Sequence, residues 1–183
     1  MNETGASRIV ALPDRRARVS WASTDGDPAT RVCSRQPPRY YATVVTRIPQ
    51  SRLPRVMFVC SRGAGRSKLA EAFWRDAGGD ARARALQPAS VVYPAAVKAM
   101  AEIGMELDLG TPQEISSDDL AWADLVVRID CHARDEFPSE LVVLDWPLEQ
   151  PSGEGVDALR VLRDAIRDRV DTFARSFRAP FPP

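Results

Sequence analysis

The chain has 183 residues, 44% of them hydrophobic, and 25 Lys and Arg against 25 Asp and Glu, which is enough apolar material for one domain core and no overall charge favouring nucleic acid or membrane. No run approaches the roughly 20 apolar residues that span a bilayer. Three scattered cysteines make neither a disulfide framework nor a metal cluster, so a cytoplasmic protein without a cofactor is expected.

The balance conceals an asymmetry: residues 1–53 carry nine Arg against four acids, whereas residues 54–183 carry 16 bases against 21 acids. Residues 1–38 show no sustained periodicity and are expected to be part of a disordered extension, 1–53, with a possible edge strand over Tyr40–Thr46. The domain proper is expected over 54–176, followed by a Pro-rich tail, 177–183. Val56–Val59 reads as a buried strand. A helix follows from about Arg66 to Ala77, with Leu69, Ala70, Phe73, Trp74 and Ala77 on one face, and Gly78-Gly79 stops it. Ala83–Leu86 is a weak second strand. Pro94 opens a helix that Gly104 ends, and Ser116-Ser117 caps a short helix near Leu120–Trp122. Leu125–Ile129 and Leu141–Leu144 are the third and fourth strands, and a loop runs from Trp146 to Gly155. The last helix carries Val156, Leu159, Leu162, Ile166, Val170 and Phe173 at steps of three or four. Alternation of strand and helix predicts an α/β fold: three layers, with a four-stranded parallel sheet and helices on both faces.

Cys60-Ser61-Arg62-Gly63-Ala64-Gly65-Arg66-Ser67 links the first strand to the first helix. Consecutive loop amides can turn inward as an anion nest, and the helix N-terminus adds its positive end. Cys60 at the start of such a loop is placed to act as a thiolate nucleophile. Arg66 can reach back to hold two oxygens of a phosphoryl group. Ser61, Arg62, Gly63, Ala64 and Gly65 then form the substrate cradle, with Arg62 either solvated or tuning charge preference. A second Cys-x5-Arg match, Cys33 to Arg39, holds two prolines, no glycine and no strand or helix flanks, and is read as coincidence. Context separates the two. The bland alternative for Cys60 is a small buried hydrophobe, but Arg66 at a helix start opposes the helix dipole unless an anion is bound. His132 is the only histidine, which rules out a His-based metal cluster.

This order of a strand, Cys-x5-Arg-Ser, a Pro-led helix, a strand ending in Asp130 and a Trp/Pro loop before a long helix resembles the low-molecular-weight protein tyrosine phosphatases and the arsenate reductases that share their fold. The resemblance implies a cysteinyl-phosphate intermediate, with Cys60 the nucleophile, Arg66 the clamp and Ser67 supporting the thiolate. The chain departs from the pattern in three places. The family's loop-propping Asn is Gly63, and its second loop cysteine is Gly65. Its Asp-Pro general acid is Gln150-Pro151, so Glu149, one position away, is the candidate proton donor, with Asp145 more distant. The thiol pair of the reductases falls at Asp130 and Phe137, with Cys131 one place off. Asp130 has an open alternative as a purely structural partner of a neighbouring loop, and Trp146 is expected to pack the loop.

The function expected is a cysteine-dependent phosphatase acting on a phosphorylated protein or small aryl phosphate, phosphotyrosine foremost. The alternatives are a degenerate oxyanion- or phosphoprotein-binding module without turnover, and a thiol-dependent arsenate reductase.

Overall fold

The computed structural model describes residues 52–131, 137–138, 140–148 and 155–178. Eight elements follow in chain order: β1 (Val56–Cys60), α1 (Arg66–Asp76), β2 (Ala81–Ala85), α2 (Pro94–Ala101), α3 (Ser117–Trp122), β3 (Leu125–Ile129), β4 (Val142–Trp146) and α4 (Gly155–Arg178). All strands are parallel, in the order β2-β1-β3-β4. The chain leaves β1 toward one edge and returns on its other side at β3. The carboxyl end of β1 is therefore the switch point of the sheet, where open α/β folds bind ligands.

The sheet divides the core in two. Val56, Phe58 and Cys60 face α1, α2 and α4, while Met57 and Val59 face α3 with Ala123, Val126 and Cys131. β1 is buried along its whole length because both its faces are covered. On the larger face the aromatic rings interlock: Trp74 lies 5.2 Å from Phe173, Phe58 5.8 Å from Trp146, and Trp146 5.6 Å from Phe173. These rings couple α1 and α4 to β1 and β4, each buried aromatic contributing about 1.5–3 kcal/mol of transfer free energy. Trp74 also donates its indole N–H to Pro54 O at 3.1 Å. A Cβ at Gly79 would stand 2.2 Å from that indole nitrogen, so glycine is what lets the turn close over Trp74.

The other face is tied by charge. β2 reads Ala-Arg-Ala-Arg-Ala, with the alanines buried, and Arg82 and Arg84 reach Asp119 of α3 at 2.9 and 2.6 Å. Asp119 also closes a capping box with Ser116. Burial alone would raise the Asp119 pKa, but hydrogen bonds from Arg84, Ser116 and Arg82 outweigh it and hold the carboxyl far below the usual range.

Sequence and structure agree on all four strands and their order of helices, with shifts at the weak elements. β2 begins at Ala81 rather than Ala83, because Arg82 finds Asp119 and takes a place in the ladder. β4 runs from Val142 to Trp146, so Trp146 closes the strand rather than opening the following loop, and it packs the core. α2 ends at Ala101, three residues before Gly104. Val156 is only half-buried in the α4 stripe. Residues 1–51 of the expected extension 1–53 and residues 179–183 of the expected tail 177–183 lie outside the described residues, whereas 177 and 178 belong to α4, with Phe177 buried in the core. No helix among the described residues is long and apolar enough to cross a membrane.

Candidate active site

The loop after β1 is built from its outer side inward. The segment that leaves β2 runs alongside it and donates four backbone hydrogen bonds to its carbonyls. Leu86 N–H reaches Cys60 O at 3.2 Å, Gln87 reaches Ser61 O at 2.9 Å, Ala89 reaches Arg62 O at 2.9 Å and Tyr93 reaches Ala64 O at 2.7 Å. No peptide bond among the described residues is cis. In a trans peptide the carbonyl of one residue and the amide of the next point opposite ways. Four outward carbonyls therefore turn the amides of Ser61, Arg62, Gly63 and Gly65 inward. One of them is caught in the act: Gly63 N–H donates to Cys60 Sγ at 3.2 Å.

Gly63 has φ +65, and a Cβ there would lie 2.9 Å from Ala85 Cβ and 3.2 Å from Pro112 Cβ. The loop is thus closed against an apolar wall where the expected pattern places a polar prop. That wall is itself anchored. Ala85 N–H donates to Gln113 O at 2.9 Å, and upstream of Pro112 the segment is pinned to α1 by Lys68 Nζ on Asp108 at 2.8 Å. The Lys68 ammonium and the Gly110 N–H hold the Asp108 carboxyl below its usual range.

At the far end of the loop, α1 starts with no side-chain cap on its amides and no acid in its first turn. An uncapped helix N-terminus facing a nest of inward amides is an anion site in need of an anion. Ser67, fully buried, places Oγ 3.2 Å from Cys60 Sγ, within hydrogen-bonding reach. Arg66 extends along the cavity wall, with Nη2 3.3 Å from Asp130 Oδ2. Its Nε is buried and is the one buried side-chain nitrogen or oxygen without a hydrogen-bond partner among the described residues. A buried donor left in this state costs about 1–3 kcal/mol unless something binds it.

Cys60 and Arg66 line a cavity of about 690 Å³ together with Val91, Tyr93, Leu159 and Leu162, which give it an apolar wall. Arg62 and Arg66 are the charged groups among its described lining residues, and none of these is acidic. Arg62 itself is exposed.

The sequence-predicted residues Cys60, Ser61, Arg62, Ala64, Gly65 and Arg66 thus meet around one cavity, with Gly63 and Ser67 bonded or close to the sulfur. Glu149 and Gln150 lie outside the described residues. Asp145, the more distant acid candidate, is instead tied by both carboxylate oxygens to Arg128, each at 2.6 Å. Cys131 is buried in the opposite half of the core, with its thiol on Val59 O at 3.5 Å. Burial, with Cys60 adding to it, pushes the Cys131 thiol up to about 11. Two contributors escaped the sequence reading: the outer segment 86–93, which shows no periodicity, and the Ala85–Pro112 wall, which is made of residues without chemistry.

Comparison with known proteins places this geometry. The chain is 33% identical over 124 residues to a putative arsenate reductase of Halobacterium salinarum, covering 62% of this chain and 85% of that protein. The crystal structure of an arsenate reductase from Archaeoglobus fulgidus is 25% identical with a TM-score of 0.56, over 66% of this chain and 98% of that one. The YwlE arginine phosphatase from Geobacillus stearothermophilus, 18% identical over 69% of this chain and 94% of that one, shares the fold with a TM-score of 0.59. The signature of the low molecular weight phosphotyrosine protein phosphatases runs from residue 55 to residue 179, and the chain belongs to that family.

Proposed function

We propose that the protein is a cysteine-dependent phosphatase that hydrolyses aryl phosphate monoesters, with protein phosphotyrosine as the substrate. The observation that supports it is the pairing of an inward-facing amide nest and a partnerless Arg66 Nε around Cys60 with a cavity wall that is apolar, and without acids, among the described residues. The nest and guanidinium suit a phosphoryl group; Val91, Tyr93, Leu159 and Leu162 suit a ring. A cationic guanidinium leaving group would call for a carboxylate in that wall, and the described lining has none.

Cys60 Sγ attacks phosphorus, forming the S–P bond as the P–O bond to the aryl group breaks. The inward amides of Ser61, Arg62, Gly63 and Gly65, and the Arg66 guanidinium, hold the equatorial oxygens where negative charge spreads in the transition state. Ser67 Oγ stabilises the sulfur when it carries charge. The leaving aryl oxygen takes its proton from Glu149, while Gln150 contacts substrate. Water then attacks phosphorus, breaks the S–P bond and releases phosphate with Cys60 restored.

A second reading has a specific observation behind it: the Halobacterium salinarum relative is a putative arsenate reductase and the Archaeoglobus fulgidus structure is an arsenate reductase. It requires a thiol to attack the cysteine-bound arsenic adduct, and Cys131 is buried with its proton held by a backbone carbonyl. An external thiol would have to serve. Turnover of p-nitrophenyl phosphate beside phenyl phosphate, with Cys60→Ser as blank, tests the proposal. Cys60-dependent hydrolysis of both esters is expected. Hydrolysis of neither, by reduced protein that binds phosphate, would leave a binding module. Thiol-dependent arsenite release without ester hydrolysis would establish the reductase instead.

A further inference from the structure

The loop presents two cations to the cavity, Arg62 and Arg66, and binding of a phosphoryl group uses the guanidinium of only one. Arg66 rises from the start of α1 and is engaged at Nη2 by Asp130. Arg62 is exposed and makes no side-chain hydrogen bond or ion pair among the described residues. Arg160, on the same helix as the lining residues Ala158 and Leu159, is by contrast taken up by Glu102 and Asp157.

An exposed arginine is ordinarily just solvated, and three features set this one apart. Its main chain is tethered on both sides, since Ser61 O and Arg62 O accept from the N–H groups of Gln87 and Ala89, each at 2.9 Å. The side chain therefore springs from a fixed point. The apolar wall it shares the cavity with reaches the surface, with Val91 63% and Tyr93 46% exposed. The cavity that begins at Cys60 thus ends in a mouth where residues flanking a bound phosphotyrosine would lie. Its volume, about 690 Å³, is that of a site for a drug-sized ligand, so room remains once a single phosphorylated ring is seated.

We propose that Arg62 is a specificity-determining residue that receives the carboxylate of an acidic residue next to the phosphotyrosine, so that the substrate is a phosphotyrosine segment with a flanking Asp or Glu. This rests on the phosphatase reading above. The phosphoryl group takes the loop amides and Arg66, the ring lies on the apolar wall, and the flanking carboxylate takes the planar fork of Arg62, whose geometry it matches bidentately. A flanking Lys or Arg would instead meet a like charge in a lining that holds no acid among its described residues.

Three phosphopeptides of one sequence, differing only in whether Glu, Ala or Lys flanks the phosphotyrosine, test this. Each is hydrolysed by the full chain under reducing conditions, and kcat/KM is measured from phosphate release. The ratio between peptides is the readout, so a loss common to all three does not move it. The wild type is expected to favour Glu over Ala by about three- to tenfold, and Ala over Lys. Arg62→Gln is expected to bring the Glu-to-Ala ratio to about unity, and Arg62→Glu to favour the Lys peptide. A wild type without preference would overturn the proposal. So would a Glu preference that survives in Arg62→Gln. Turnover of p-nitrophenyl phosphate without turnover of any peptide would overturn this inference and leave a phosphatase of small esters. Absence of Cys60-dependent turnover of both ester and peptides would overturn the phosphatase reading itself, and this inference with it.

Discussion

Gly63→Ala is the substitution whose cost follows most directly from the loop. Two penalties add. At φ +65 a non-glycine residue pays about 1–2 kcal/mol in the left-handed region. The new methyl would also stand 2.9 Å from Ala85 Cβ and 3.2 Å from Pro112 Cβ, and overpacking of this kind costs about 1–3 kcal/mol. Neither neighbour yields easily, since Ala85 is in register with Cys60 and bonded to Gln113 O, while Pro112 has a fixed ring. The sum, about 2–5 kcal/mol, is a large share of the 5–15 kcal/mol that stabilises a typical domain. Urea unfolding followed by tryptophan fluorescence reads it directly, because Trp74 and Trp146 are both in the core. Ala85→Gly in the same chain is expected to recover the packing share and leave the φ share, a coupling that a double-mutant cycle measures. Gly63→Asn, which restores the residue expected from the resemblance, should destabilise rather than repair, because its Cβ meets the same wall. A Gly63→Ala protein within about 0.5 kcal/mol of wild type would refute the geometry, as would additivity with Ala85→Gly.

Further outcomes follow from other parts of the molecule. Asp119→Ala strips the carboxylate from between Arg82 and Arg84 and is expected to cost about 3–5 kcal/mol, read by the same unfolding assay. Because the Asp119 pKa is lowered in the folded state, its stabilisation is present above the unfolded value, about pH 4, and is lost as pH falls below it. Acid titration of the folded protein should show that loss, and Asp119→Asn should remove it. Cys131, with its thiol pushed up to about 11 by burial, should resist iodoacetamide at pH 8 in the native protein and react after unfolding, as mass spectrometry of the peptide will show. Cys131→Ser should leave turnover of aryl phosphate unchanged within about twofold, since its hydroxyl can still donate to Val59 O. Glu149→Gln should lower phenyl phosphate hydrolysis by about 10²-fold or more while changing p-nitrophenyl phosphate little, because only the poor leaving group needs an acid.

Much of this was legible in the sequence, and the reason is periodicity. β1 is a continuous apolar run because it is buried on both faces, β3 breaks its apolar run only at the half-buried Arg128, and α4 carries its stripe at helical spacing because one side packs on Trp74 and Trp146. The loop was legible because glycine, cysteine and arginine at that spacing each answer a chemical need. β2 was harder. Its Ala-Arg alternation looks polar until Asp119, 35 residues from Arg84, supplies a buried partner. The segment 86–93 could not be read at all, since it acts through backbone N–H groups, which every residue but proline has. The Gly63 departure looked like the loss of a prop. Only the position of Ala85 and Pro112 shows that the prop was replaced by packing.

The most direct test of the phosphatase proposal is to trap its covalent intermediate. The protein is mixed with p-nitrophenyl phosphate, quenched in acid during turnover, digested and examined by mass spectrometry. A phosphoryl group on the peptide bearing Cys60, present in the wild type and absent in Cys60→Ser, is the predicted result. Continued release of nitrophenolate with no phosphate on Cys60, or with phosphate on another residue, would contradict it.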